Sequence, residues 1–489
     1  MTTELQNRSL PSLLQRAHVL ALLLFLLGFL LWWPDVVTNT DEGMYVTHAM
    51  TLQAGHRTVP LVNALTRQVT QGVPSGYPVL TAVSQLPGIV LARLAGVTDF
   101  WRGAYLSVLL AVFLTILSTR VLLQRLGLNP FWALIWLVFP PFIVMSRLAT
   151  SDVLAAGWCA LTLAVFAHGL TLDPQKRPRI WLLAGFLAGA SLCLREMAPL
   201  VPLVFFAGAF FRREKAWHWL LIGGLLGVAL RPITSALSWH NPFFVKPHGG
   251  SFNFTNFRAN FLADCAILTF LLPAGLPALL LYRGPRRPEV LVSGVVFTLV
   301  HISYLFAVGT GGFFAIVIGG RFFLLAVPVY IVAIAHAAER LQPRMRPRTW
   351  LALQSLLAAG ALVAAFAIHP VLHQWSRLHR DIRDRLCATV PPNVTLMTNL
   401  AVTGKYLLDF SCPRPNIDLN ADTLKYFEQL KSHGPIYVAI ADRQDSTFWT
   451  QMGAEGQRAF ARLEQLSHPQ LLYRGPPDWQ SLTVWKLDP

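Results

Sequence analysis

Eleven apolar runs separated by short polar connections fill the first three quarters of the chain, and they constrain its fold more than any motif does. They lie at roughly 17–33, 103–119, 130–146, 153–170, 180–194, 197–211, 217–237, 259–282, 290–308, 322–338 and 350–368. About 18 uncharged, mainly apolar residues in a helix cross ~30 Å of hydrocarbon, so each run is expected to span a bilayer. Only 13% of the 489 residues are charged, whereas 54% are hydrophobic. A soluble domain covers itself with roughly 25% charged residues, and this chain would leave most of its outside apolar. It is equally too apolar for disorder. The stretch Gly76 to Gly96 is apolar as well, but it holds Pro78, Pro87 and Arg93. Counting it as a span would invert every later connection, so it is expected to lie in the interface or to re-enter.

The net charge of +16 invites a nucleic-acid reading, which depends on where the basic residues fall. They fall between the apolar runs. Alternate short connections carry 17 Lys and Arg, the opposite connections carry 10 although one of them is far longer, and 13 follow His369. The positive-inside rule then puts the N-terminus in the cytoplasm and everything after His369 outside, as in a bacterial cytoplasmic (inner) membrane protein. The basic residues thus set orientation and meet membrane lipids, and no nucleic-acid partner is expected. Trp32, Trp33, Pro34 and Asp35 follow the first run where a cleavage site would need small residues, so that run is expected to stay as an anchor.

The fold class expected is an α-helical polytopic membrane protein of about 11 transmembrane helices, with interfacial helices in the first outward loop (34–102) and a C-terminal α/β soluble domain. The boundaries are 1–370 for the membrane domain and 371–489 for the outward (periplasmic) domain. The latter holds 12 of the 24 acidic residues. Its pattern predicts strands at 393–398, 436–440, 471–473 and 482–487, and helices at 421–431 and near 457–465. Cys387 and Cys412 both fall there and can pair in an oxidising compartment. Cys159, Cys193 and Cys265 read as packing residues.

Acids are scarce before His369: twelve, of which seven face outward. Charge beside hydrocarbon is costly, so each outward acid is a functional candidate or half of an ion pair. Asp41 and Glu42 follow the first span, in a segment where Thr40 can cap a short helix that Gly55 ends, which places both carboxylates at the favourable end of the helix dipole. Asp41, Met44, Tyr45, His48 and Leu52 share one stripe of that helix. A plain amphipathic interfacial helix explains the same pattern. Asp152 opens the fourth span as a helix-capping acid or a partner for Arg147. Arg195, Glu196, Arg231, Lys246, His248, Arg258 and Arg321 are outward too, as interface anchors or as phosphate-gripping groups.

In this order and sidedness the residues resemble the GT-C glycosyltransferases, of the group containing protein O-mannosyltransferases and lipid A aminoarabinose transferases. The matching features are Asp41-Glu42 just after the first span, Ala49-x5-Gly55, Gly76-Tyr77-Pro78 before a second interfacial helix, Arg147-x4-Asp152, and Gly320-Arg321-Phe322-Phe323-Leu324-x3-Pro328. The resemblance covers the membrane part. It implies an enzyme that transfers a hexosyl or pentosyl group from a polyprenyl-phosphate-linked donor, with inversion, to a glycan, lipid or protein acceptor at the outer face. Carried onto this sequence, Asp41 is the general base with Glu42 beside it, and Asp152 orients the acceptor or shares a divalent cation (Mg2+ or Mn2+) with Asp41. Arg321, with Lys246, His248 and Arg258, holds the donor phosphate, and Tyr45, His48 and Tyr77 contact acceptor or sugar. Related sequences often carry Lys-Pro-Pro where this chain has Gly-Tyr-Pro at 76–78, so no phosphate-binding lysine is carried over there.

Two readings compete. A transporter or flippase of a polyprenyl-linked substrate would place charge near the midplane and show repeated halves, whereas these charges collect at the outer rim and no repeat is visible. A polytopic anchor displaying its C-terminal domain would leave Asp41 and Asp152 replaceable.

Overall fold

A computed structural model describes residues 16–62, 69–72, 75–244, 257–303, 317–392, 394–399, 416–418, 434–441, 457–458, 461, 469–475 and 482–487. Among these residues the chain is helical up to Thr389 apart from one hairpin. In order the α-helices are α1 (Ala17–Leu31), α2 (Thr40–Gln53), α3 (Val79–Leu94), α4 (Tyr105–Arg125), α5 (Pro140–Met145), α6 (Ser151–Thr171), α7 (Arg177–Ala190), α8 (Leu200–Phe211), α9 (His218–Val228), α10 (Leu230–Trp239), α11 (Phe257–Ala266), α12 (Gly275–Leu280), α13 (Arg287–Ile302), α14 (Val327–Leu341) and α15 (Pro347–Thr389).

The expected apolar runs coincide with helical backbone, but not each with one uninterrupted helix. Among the described residues four stretches are long and apolar enough to cross a membrane: Phe100–Arg125, Ser151–Thr171, His218–Trp239 and Pro347–Thr389. A fifth is added if Val317–Leu325 and Val327–Arg344, bent by 85° at their junction, form one span. The run at 130–146 divides into a 3-10 segment, Pro130–Val138, and α5. Pro140 and Pro141 have no N–H to donate backwards, so the first segment ends at Phe139 and a new one begins. The run at 259–282 likewise divides, into α11, a π turn at Ile267–Leu271, and α12.

The chain forms two compact units: Met1–Trp33, Pro78–Thr81 and Tyr105–Leu372 make one, and Pro34–Tyr77, Ala82–Ala104 and His373–Pro489 make the other. In the first unit α7 and α9 pack backbone against backbone. Gly185 and Gly189 on α7, and Gly223 and Gly227 on α9, each face a carbonyl of the other helix so closely that a Cβ would overlap it. Small residues four apart permit this approach where lipid supplies no hydrophobic drive between helices.

In the second unit, β1 (Val59–Val62) and β2 (Val69–Gly72) form an antiparallel hairpin. Asp35 pairs with Arg380, and Arg102 Nε donates to the Pro34 carbonyl at 3.2 Å, so the ends of the 34–102 connection are tied within this unit. The C-terminal part is a five-stranded mixed sheet made of β3 (Thr395–Thr398), β4 (Asn416–Asp418), β5 (Ile436–Ala441), β6 (Gln470–Arg474) and β7 (Leu482–Leu487), in the order β4-β3-β5-β7-β6. β3 runs parallel to β4 and β5, and β7 runs antiparallel to β5 and β6. Four of these strands match the expected ones, and the three-residue β4 does not carry enough pattern to be read. The helix expected at 421–431 and Cys412 lie outside the described residues. Of 457–465 only Gln457, Arg458 and Ala461 are described, all helical.

The apolar pattern predicts an end to the last span near 368, and the helix that contains it, α15, continues to Thr389, 43 residues in all. Beyond Pro370 its pattern changes from uniformly apolar to amphipathic. Leu378, Ile382 and Leu386 recur every fourth residue, and the last two are buried with Val390, Leu396 and Val484 in the core of the sheet. The boundary expected at 370 therefore falls inside a helix. Substituting Gly227 by Leu is expected to overpack the α7–α9 contact and to destabilise the protein by about 1–3 kcal/mol. Thermal unfolding in detergent measures this, and Leu226→Ala, at an exposed position on the same helix, should change little.

Candidate active site

In the second unit the site residues are set by the start of α2. The cap is Asn39, not Thr40: its backbone is extended and its Oδ1 accepts from the Asp41 N–H at 2.8 Å. Thr40 is already the first helical residue. Glu42 is fully buried, and its Oε2 accepts from the Thr38 N–H at 2.9 Å and from the Thr38 hydroxyl at 3.4 Å. Together the two side chains fix the helix entry: Glu42 commits an oxygen to the backbone before the cap, and Asp41, its neighbour, is held in place. Asp41 is half-buried, and its Oδ1 accepts a hydrogen bond from the Tyr77 hydroxyl. The Tyr77 ring stacks on Tyr45, with centroids 4.7 Å apart and planes 27° apart. One turn further along α2, His48 is buried and its Nδ1 has no hydrogen-bond partner among the described residues. Burial pushes its imidazole down to about 4, so the ring is neutral at neutral pH. The expected Asp41, Tyr45 and Tyr77 are thus one cluster, and His48 lies one turn beyond Tyr45 on the same helix.

In the first unit the cluster is built around Phe322. Asp152 lies in the first turn of α6, buried, with Oδ2 accepting from the Thr150 hydroxyl at 2.9 Å. It forms an ion pair with Arg195. The Arg195 guanidinium lies over the Phe322 ring at 5.2 Å, and the Arg321 guanidinium lies over the same ring at 5.0 Å. Both positive charges act on Asp152. Phe322 and Arg321 belong to the 3-10 turn Gly320–Leu325, which enters α14. Gly320 packs against Pro141 where a Cβ would clash, which lets the turn sit close to α5. Cation–π contact orients each guanidinium edge for hydrogen bonding while its face stays on the ring.

Other expected placements differ. Arg147 does not pair with Asp152: its guanidinium reaches His369 Nδ1 at 2.9 Å and the Trp32 carbonyl at 2.5 Å, and lies over Phe29. Arg231 pairs with Glu196 at 3.3 Å. Arg258 is exposed on α11, and the described residues do not bring it into contact with Arg321. Lys246 and His248 lie outside the described residues. Arg195, expected as one outward cation among several, is paired with Asp152; its position at the end of an apolar run was the available signal. No group of three His, Cys, Asp or Glu side chains able to hold a metal ion is found among the described residues. Asp41 accepts from Tyr77 and Asp152 is paired to Arg195, so the described residues do not fit a site for Mg2+ or Mn2+, which needs several convergent oxygen ligands.

No protein-family profile matches the chain, and no curated protein is similar to it in sequence. Solved structures are similar in fold. ArnT from Cupriavidus metallidurans bound to undecaprenyl phosphate superimposes with a TM-score of 0.58 at 14% identity, covering 98% of each chain. Its apo state gives 0.57 at 13% identity, covering 97% of this chain and 98% of that one. The Archaeoglobus fulgidus oligosaccharyltransferase tethered with an acceptor peptide gives 0.51 at 13% identity, covering 92% of this chain and 71% of that one. Both enzymes are GT-C glycosyltransferases. The chain has the GT-C fold. The match with ArnT runs over nearly the whole length of both chains.

The Asp152–Arg195 pair makes a measurable claim. Removing only the acid strands a cation in a half-buried setting and is expected to cost about 3 kcal/mol. The double variant Asp152→Ala/Arg195→Ala should cost less than the sum of the singles by at least about 1 kcal/mol, as read from a double-mutant cycle of thermal or denaturant unfolding.

Proposed function

We propose that the protein is a glycosyltransferase that moves a sugar from a polyprenyl-phosphate-linked donor to an acceptor hydroxyl at the outer face of the cytoplasmic membrane. The observation that carries this reading is the pair of guanidiniums on one phenylalanine ring, in a chain whose fold is shared with an aminoarabinose transferase solved with undecaprenyl phosphate bound. Guanidinium is the cation best matched to phosphate oxygens, through paired charge-assisted hydrogen bonds.

The reaction follows from the groups present. The acceptor oxygen attacks the anomeric carbon on the face opposite the phosphate, and the bond from that carbon to the phosphate oxygen breaks with its electron pair going to the oxygen. Configuration inverts. The hydroxyl proton passes to Asp41, which later releases it to solvent, and the polyprenyl phosphate leaves. Arg321 stabilises the charge that develops on the phosphate, as a group fixed in advance does best. Arg195, held by Asp152 and Phe322, assists. Tyr45 and Tyr77 offer stacked rings on which a sugar face can lie, and the neutral His48 offers a hydrogen bond to a hydroxyl. Glu42 acts through the start of α2.

The proposal includes the topology: about eleven spans, the N-terminus in the cytoplasm, residues 1–370 as the catalytic membrane domain, and 371–489 outside. The disulfide at Cys387 supports an oxidising compartment for that end of the chain. The sugar is a hexose or pentose, and the acceptor is a glycan, a lipid or a protein.

Asp41→Asn is expected to lower kcat by about 10²- to 10⁴-fold, the usual contribution of a general base, with the protein still folded by size-exclusion chromatography. Sugar release from a polyprenyl-phosphate donor measures it, and unchanged turnover would remove Asp41 from the chemistry. A reporter fused after His369 is expected to be active only in the periplasm; activity in the cytoplasm would overturn the orientation.

A further inference from the structure

Two further buried titratable side chains stand behind the Phe322 cluster. Asp264, on α11, is fully buried, and its Oδ2 lies 2.9 Å from His301 Nδ1, near the end of α13. His301 is itself buried. Its ring packs against Phe323 at 4.5 Å and against Phe322 at 5.5 Å between centroids. Phe322 is the ring on which both Arg195 and Arg321 rest. The path from Asp264 through His301 to the guanidiniums is therefore three side-chain contacts long, and it lies wholly in the first unit.

A buried acid and histidine are costly unless they pair, and the pair must do something that an apolar filling would not. Here the pair orients one ring. With Nδ1 donating to Asp264 the imidazole plane is fixed, as a carboxylate fixes a functional histidine elsewhere. That fixed plane is one wall against which Phe322 and Phe323 sit. Asp264 Oδ1 and His301 Nε2 have no hydrogen-bond partner among the described residues, so the one bond between the two side chains is what sets the ring.

We propose that Asp264 and His301 are positioning residues which hold the Phe322 ring, and through it Arg321 and Arg195, in the geometry that grips the phosphate of the lipid donor. The inference rests on the proposed function, in which those arginines meet the phosphate. Neither residue of the dyad touches the substrate in this arrangement. Its effect is on donor affinity, not on the step at the anomeric carbon.

The test measures binding of undecaprenyl phosphate to the purified full-length protein in detergent, together with donor KM and kcat. His301→Phe keeps a ring against Phe322 but loses the tether. It is expected to weaken binding and raise KM about tenfold, the equivalent of one net hydrogen bond, with kcat within about twofold. Asp264→Leu should match it, and Asp264→Asn, which keeps an oxygen for the Nδ1 proton, should restore affinity to near the parent value. A merely structural role would instead lower the melting temperature and kcat with KM unmoved, and that result would overturn the inference. Arg321→Ala separates the two layers: if it leaves undecaprenyl phosphate binding unchanged, the phosphate-gripping role falls, whereas weak binding in Arg321→Ala with parent-like binding in His301→Phe sinks the dyad alone.

Discussion

Charge cannot be left alone beside hydrocarbon, and most of what is specific about this protein follows from how its few charges are satisfied. The first unit does so by pairing: Asp152 with Arg195, Glu196 with Arg231, Asp264 with His301. At the other end of its helices Glu214 and Glu289 are shared among Arg177, Arg212 and Arg286. Each pair joins residues that are far apart in sequence, apart from Arg286 with Glu289, so each also fixes the relation of two helices. Desolvation makes such pairs poor sources of net stability and strong sources of specificity when one member is lost. A chain built this way spends its rare charges on position.

The same economy explains why the arginines of the site rest on an aromatic ring. A guanidinium has a weakly hydrated face and a hydrogen-bonding edge. Over Phe322, Arg195 and Arg321 lose little by leaving water on that side, and Arg195 keeps an edge for its ion pair with Asp152. Phe322 thus receives two cations on one ring, and the Asp152 carboxylate pairs with one of them, Arg195.

Much of the fold was legible because membrane constraints write themselves into sequence. The apolar runs, the two short helices ending before Gly55 and following Pro78, and four of five strands in the C-terminal sheet are patterns of local composition. The breaks were harder. Pro140 and Pro141 announce an interruption, but the π turn at Ile267–Leu271 has no local mark, and α15 runs past its apolar part because of a stripe at 378, 382 and 386 that only the sheet core explains. Of the candidate site residues, Asp41, beside Glu42, and Asp152 were visible as scarce acids next to apolar runs. Their partners were not: Tyr77 is 36 residues from Asp41, and Arg195 is 43 from Asp152. No periodicity links residues at such separations. The helix cap moved by one position for a smaller reason, since Asn39 and Thr40 are both capping residues and only the backbone conformation decides between them.

The hydrogen bond from Tyr77 to Asp41 has a chemical meaning of its own. A phenolic hydroxyl is the same functional group, in hydrogen-bonding terms, that an acceptor would bring. If Asp41 is the base of the proposed reaction, its carboxylate is already met by an internal stand-in, so a stray water gains little by approaching it, while an acceptor that also covered the two tyrosine rings would displace the stand-in and take its place. Discrimination between transfer and wasteful hydrolysis of the lipid-linked sugar would then begin before any bond is broken, in a competition between hydroxyl groups for one oxygen.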